Sequence, residues 1–311
     1  MGDRPAIALR GLTKRYGRAA AIQDLTLEVR EGEVFGFLGP NGAGKTTTIR
    51  ILLDLLRATS GTAAVFGHDC RAESLAVRAA VGYLPGEVQY YGDLTGRQVL
   101  DLLDRLGAAR VEPRRQQALL ERFALGAADL GRRLREYSAG MKRKLGLVQA
   151  FQADPPLLIL DEPTEGLDPL MQAAFHDLVA EERGRGRTVF MSSHVLREVE
   201  RACDRVGLLR EGRLVLAAPV AEVRRLAPRR AEVSFAADVG APAVPLPPGV
   251  ELTARGARAW SLCVRGPLGP LLGRLEGLPV ADLRVEEPAL EDVVLGYYRE
   301  SGGGEGSCTA R

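Results

Sequence analysis

The sequence predicts an α/β fold built around a buried sheet, followed by a smaller α+β unit at the carboxyl end. Three apolar runs carry the prediction. Val34-Phe-Gly-Phe-Leu38 leads into a glycine-rich turn and then into residues at helical spacing. Leu157 to Leu160 is an uninterrupted apolar strand of the kind found inside parallel sheets, stopped upstream by Pro155-Pro156 and ended by Asp161 and Glu162. Thr188-Val-Phe-Met-Ser-Ser193 is a further run, closed by His194. Polar groups at the carboxyl ends of such strands stand where ligands bind in open α/β sheets.

The first turn, Gly39 to Thr46, fits the pattern Gly, four residues, Gly-Lys-Thr. Its predicted phosphate cradle consists of Gly39, Pro40, Asn41, Gly42, Ala43, Gly44, Lys45, Thr46 and Thr47. The glycines let successive N–H groups turn toward phosphate oxygens, and the following helix adds the positive end of its dipole. That helix is expected over Thr47 to Leu56, where Ile49, Leu52, Leu53 and Leu56 share a face. Lys45 is expected to reach the β- and γ-phosphates and the Thr46 hydroxyl to ligate Mg²⁺. A plain βα turn with a surface lysine is the bland alternative, and both spacing and flanks oppose it.

Asp161 is placed to hold Mg²⁺ through water, and Glu162 is the candidate general base for the attacking water. Paired acids after a strand can also merely cap a helix. His194, at another strand end, can hydrogen-bond the γ-phosphate; read alone it is a structural histidine. Tyr16, in Lys14-Arg15-Tyr16-Gly17, can stack on adenine or simply pack beside a turn. Ser138 is a good N-cap for a helix over Met141 to Phe151, with Leu145, Val148 and Phe151 on one stripe.

In this order and at these intervals the segments resemble the ATP-binding subunits of ABC transporters, over roughly residues 4–220. Tyr16 matches the family's adenine-stacking aromatic, and Gly39 to Thr46 its Walker A. Ser138-Ala139-Gly140-Met141 stands at the signature motif, and Leu157 to Asp161 at Walker B, with Glu162 beyond. Thr164 to Asp168 matches the D-loop and His194 the switch histidine. The resemblance implies a P-loop NTPase domain with an antiparallel β subdomain and a helical subdomain at about residues 86–150. It implies ATP and Mg²⁺ as cofactors, and a dimer of identical or related chains. In that dimer Ser138, Gly140 and Met141 of one chain meet the γ-phosphate held by the other. It also implies a membrane permease on a separate chain, gripped through the helical region with Gly86 to Gly96 as the contact, and a peripheral place on the cytoplasmic side of the membrane.

Two departures stand out. Ala139 and Met141 replace the commoner Gly and Gln of the signature. After Pro85 the family usually carries Gln, whose oxygen helps coordinate Mg²⁺; here Gly86 has no side chain, so Glu87 becomes the candidate metal ligand and Gln89 a poorer one. Weak or partner-dependent turnover is the expected consequence. Tyr91-Gly-Asp-Leu-Thr-Gly-Arg97 and Glu287 to Tyr298 resemble the subunits of drug and antibiotic exporters with separate permeases.

Composition narrows the alternatives. A net charge of +2 gives no electrostatic case for nucleic acid, although 38 of the 42 basic residues are Arg. Arg183-Gly-Arg-Gly-Arg187 is read as a solvated loop. Cys70, Cys203, Cys263 and Cys308 lack metal or disulfide spacing, and no signal peptide precedes them, so a reducing cytoplasm is expected. No apolar run reaches the ~18 residues of a membrane helix. The domain boundary is expected after Leu216, with a short helix from Pro219 through Leu226 and a linker at Ala227 to Arg230. A C-terminal α+β domain is expected over residues 227–300, and a disordered tail over 301–311. Within it, strands are expected at Glu232 to Ala236 and Ala259 to Val264, with helices at Leu268 to Leu278 and Ala289 to Tyr298. The function read from all this is an ATPase powering an exporter of drugs, antibiotics or lipids. The alternatives are a soluble ABC ATPase acting away from membranes, disfavoured by the single P-loop, and a nucleotide-dependent regulatory module with little turnover.

Overall fold

The computed structural model describes residues 4–107, 110–226, 228–239 and 245–286, and the chain divides into two units, Met1–Ala217 and Ala218–Arg311. In the first unit a six-stranded sheet runs in the order Arg213–Pro219, Arg205–Arg210, Val34–Leu38, Thr188–Ser193, Leu157–Asp161, Val81–Leu84. Its pairings from Arg205–Arg210 across to Val81–Leu84 are parallel.

The central strands are covered on both faces, which is why they read as unbroken apolar runs. Leu157 and Ile159 pack into one core with Phe35, Phe37 and Phe190; Leu158 and Leu160 pack into another with Val34, Val189 and Met191. This period of two is the pleat of the strand. The register also aligns the strand ends that matter, setting Asp161 opposite Ser192 and Leu38 opposite Ser193.

A four-stranded antiparallel sheet, ordered Ala19–Arg30, Pro5–Tyr16, Ser60–Val65, His68–Asp69, closes the first core with Ile7, Leu9, Ile22 and Leu25. Helices Gly96–Leu106, Pro113–Arg122, Ala127–Gly131, Ala139–Gln152 and Pro169–Gly184 contribute to the second, through residues such as Leu100, Leu119, Leu130, Leu145 and Phe175. The first of these helices is started by a capping box: the Gln98 amide donates to Thr95 Oγ1 at 3.2 Å, and the Thr95 amide donates to Gln98 Oε1 at 2.9 Å.

One sequence expectation changes in the first unit. The helix after the glycine-rich turn spans Lys45–Leu52 rather than reaching Leu56. Asp54 takes a left-handed φ of 54°, and the Leu55 and Leu56 amides both fold back onto the Arg50 carbonyl. Leu53 and Leu56 still pack into the same core from this turn, so helical spacing persisted past the helix end. The Arg183 to Arg187 stretch, read as a solvated loop, leaves the end of helix Pro169–Gly184 and is largely exposed; Arg183 pairs with Asp204, and Arg185 and Arg187 pair with Asp154 at 3.0 and 2.7 Å.

The second unit holds an antiparallel sheet ordered Val250–Arg255, Ala259–Val264, Arg229–Phe235, Val280–Glu286, with helix Gly269–Leu275. Its core gathers Val233, Phe235, Trp260, Leu262 and Leu271, with the Phe235 and Trp260 rings edge-on at 4.8 Å. Arg229 and Arg230 belong to an inner strand of this sheet rather than to a linker, standing opposite Val264 and Cys263. The expected helix at 289–298 and the expected tail at 301–311 lie outside the described residues.

Candidate nucleotide site

The site begins at the turn between strand Val34–Leu38 and helix Lys45–Leu52. Gly44 caps that helix with φ 108°, and a Cβ there would lie 2.6 Å from the Ala21 carbonyl oxygen. At Gly39 a Cβ would lie 2.6 Å from the Leu209 carbonyl oxygen. The pattern's glycines therefore answer to tight backbone approach as well as to conformation. Because Gly44 supplies no side-chain cap, the first-turn N–H groups keep their capacity for an anion. The turn encloses a cleft of about 160 Å³ lined by Pro40, Asn41, Gly42, Gly44, Lys45, Thr46, Thr47 and Glu162.

Lys45 is 6% exposed, and its ammonium donates to the Gly39 carbonyl at 2.5 Å and stands 3.2 Å from Glu162 Oε1. Glu162 has a left-handed φ of 50°, a conformation that costs a non-glycine residue about 1–2 kcal/mol. Its amide is held by Ser192, donating to Oγ at 3.1 Å. This backbone turn brings the carboxylate out of the strand line and beside Lys45. Its other oxygen, Oε2, lies 2.8 Å from His194 Nδ1 and accepts the His194 amide at 3.3 Å. Oε1 is sealed from solvent and accepts no well-directed hydrogen bond, so the nearby ammonium offsets its charge without saturating it.

Asp161 is fully buried. Its Oδ2 accepts the Thr46 hydroxyl at 2.8 Å, and its Oδ1 accepts the Ser192 hydroxyl at 2.5 Å. The carboxylate is also felt by Tyr83, whose phenol is pushed up to about 12 by burial first and by the Asp161 charge second. Gly86 comes up against the same group: a Cβ on it would lie 3.1 Å from Asp161 Oδ2. Glu87, one residue on, is exposed.

The structure thus joins Lys45, Thr46, Asp161, Glu162 and His194 in one polar network. Other sequence-predicted residues stand apart from it. Tyr16 is 54% exposed at the end of its strand, with the Lys14 ammonium 4.9 Å from its ring centre. Ser138 is exposed and caps helix Ala139–Gln152, accepting the Met141 amide at 3.2 Å. Neither it nor Gly140 nor Met141 lines the cleft. Gly140 instead abuts the segment after Glu162, where a Cβ would meet the Gly166 carbonyl oxygen at 3.0 Å.

Sequence reasoning missed two participants. Ser192 sits inside an apolar run and betrayed itself only by its polarity; its register opposite Asp161 is what gives it a role. Arg143, on the helix that Ser138 caps, is 6% exposed and points its guanidinium at four backbone carbonyls, those of Pro85, Gly86, Asp161 and Glu165.

Comparison with known proteins agrees with this geometry. The family model described as ABC transporter matches residues 22–165. A daunorubicin resistance ATP-binding protein of Streptomyces coeruleorubidus is 44% identical over 214 residues, covering 68% of this chain and 67% of that protein. A bacitracin transport ATP-binding protein of Bacillus licheniformis is 36% identical over 220 residues, covering 69% and 70%. Among solved structures, an ATP-binding subunit of an ABC transporter superposes with a TM-score of 0.65 at 30% identity, covering 71% of this chain and 92% of that one. With a phosphate cradle, an acid pair and a histidine assembled as described, this chain belongs to the ABC transporter family, as an ATP-binding subunit.

Proposed function

We propose that the chain is the ATP-hydrolysing subunit of an exporter of drugs, antibiotics or lipids, and that ATP-driven closure of a pair of such chains works a separate membrane permease. The observation that carries the ATPase half is the contiguous path Lys45–Glu162–His194 at the wall of the phosphate cleft. The exporter half is supported by the drug-resistance and bacitracin-transport relatives. Among the described residues no helix is long and apolar enough to cross a membrane, so the reading assigns the membrane path to another polypeptide and this chain to the membrane's cytoplasmic face.

The residues suit the chemistry. Lys45 now leans on a carbonyl and on Glu162; triphosphate oxygens are stronger partners and would draw the ammonium toward the β- and γ-phosphates. Glu162 is then free to accept a proton from the water that attacks the γ-phosphorus, while the bond to the ADP oxygen breaks. His194 steadies the carboxylate through Nδ1, leaving Nε2 for the phosphate. The Tyr16 ring, open on the surface, is the proposed adenine platform. Thr46 and Asp161 fit Mg²⁺: both are hard oxygen donors already in contact, and a small cation with one carboxylate ordinarily completes its shell with phosphate and water. Bound there, the ion neutralises charge on the phosphates. Glu87 is the proposed further oxygen donor from the protein.

Ser138, Gly140 and Met141 are proposed to complete the site from a second chain, since their own cleft excludes them. The test is phosphate release by the purified full chain, alone and reconstituted with its permease. ATP-dependent release stimulated by the permease is the expected result. Absence of release in both preparations would remove the reading.

A further inference from the structure

The loop Pro85-Gly86 lies against the buried Asp161 carboxylate without contributing a side chain. Something else must fix it, because a loop with a glycine at this point has more conformations than one with a side chain to anchor. Arg143 supplies the restraint. Its Nη1 donates to the Pro85 carbonyl at 2.9 Å and its Nη2 to the Gly86 carbonyl at 2.6 Å. The same fork reaches the Asp161 carbonyl at 3.4 Å through Nη1, and Nε donates to the Glu165 carbonyl at 3.3 Å. One planar group therefore spans the loop before the metal-side carboxylate, the strand end carrying it and the segment after Glu162. The guanidinium rides on helix Ala139–Gln152, and its Nη2 stands 3.6 Å from the Glu165 carboxylate. Burial pushes its pKa down, and Glu165, Asp161 and Glu162 push it back up. An arginine keeps its charge under such conditions.

We propose that Arg143 is a positioning residue that holds the Pro85-Gly86 backbone against Asp161, and so ties metal use at the nucleotide site to the placement of the Ser138-capped helix. This rests on the ATPase reading above. The physical ground is that a rigid five-donor fork can fix several carbonyls at once, whereas a glycine loop cannot fix itself.

The test measures affinity of the full-length chain for a fluorescent ATP analogue, first without divalent cation and then across a Mg²⁺ titration. Wild type is expected to bind more tightly as Mg²⁺ is added. Arg143→Met, which keeps the stem and removes the fork, is expected to retain metal-free affinity. It should need about tenfold more Mg²⁺ for half its gain, the size of losing hydrogen bonds to a charged group. Arg143→Lys should recover part of the shift. Gly86→Ala, which leaves Arg143 intact but sets a Cβ 3.1 Å from Asp161 Oδ2, should displace the same midpoint even if the methionine variant fails to fold. Midpoints unchanged in the variants that fold overturn the proposal, as does a loss confined to metal-free affinity. A wild-type chain that binds no analogue under any condition defeats the ATPase reading itself, and this inference with it.

Discussion

Glu162 carries the heaviest chemical assignment on the least ordinary backbone. Its left-handed φ of 50° is a local expense that an ordinary strand-to-loop turn avoids, and it brings Oε1 to Lys45 and Oε2 to His194. Glu162→Gln keeps the shape and removes the proton acceptor. Turnover should fall by about 10²–10⁴, the range of a general base, while ATP affinity measured by titration calorimetry stays near wild type. Undiminished phosphate release by this variant would take the base assignment away from Glu162. Lys45, Thr46, Asp161, Glu162 and His194 were all legible in the sequence, because each is a reactive residue type at a strand end or in a fixed glycine spacing. Ser192 and Arg143 were not. Their roles depend on which carbonyls and carboxylates the fold brings to them, and a serine in an apolar strand or an arginine in a basic helix carries no such mark. The left-handed turn at Glu162 was hidden for a related reason: only glycine advertises positive φ in a sequence.

Elements show the same division between local and tertiary causes. The cap at Ser138 follows from sequence spacing and appears where that spacing puts it. The early end of helix Lys45–Leu52 does not, since Leu53 and Leu56 remain buried beyond it. Helix Pro169–Gly184 adds a buried polar anchor, Glu182, 2% exposed, which takes Arg115 of helix Pro113–Arg122 at 2.8 Å. Six residues earlier on that helix His176 is 8% exposed, and its Nδ1 has no hydrogen-bond partner. Burial pushes the His176 pKa below its ordinary 6.5, and the Arg201 charge pushes it further down. The unfolded chain therefore takes up a proton near pH 6.5 that the folded chain still refuses. Stability is present above that pH and is lost as pH falls toward the folded value. The melting midpoint should drop between about pH 7.5 and about pH 5.5, and His176→Gln should flatten that drop. An unaltered slope in the variant would mean that other groups set the acid sensitivity.

At the scale of the whole molecule the decisive feature is what one chain's cleft lacks. Ser138 is exposed at a helix N-terminus, yet neither it nor Gly140 nor Met141 lines the phosphate cleft. A helix end of this kind can take an anion, and in the proposed function a second nucleotide-loaded chain provides it. Replacing Ser138 by Arg would test this crudely, because it also removes the cap donated to by the Met141 amide, a loss of about 0.5–2 kcal/mol. Ser138→Asp separates the two effects. Aspartate is as good an N-cap as serine, so the isolated chain should keep its melting temperature and its ATP affinity. It also sets a negative charge where the proposed function docks a partner's γ-phosphate. Like charges about 4 Å apart repel by about 4 kcal/mol at the effective dielectric of a protein surface, roughly a thousandfold in an association constant. In a Glu162→Gln background with ATP and Mg²⁺, light scattering should therefore find dimers when residue 138 is Ser and monomers when it is Asp. Dimers of equal strength in both would place the γ-phosphate contact somewhere other than Ser138, and closure would then need a different surface of the chain.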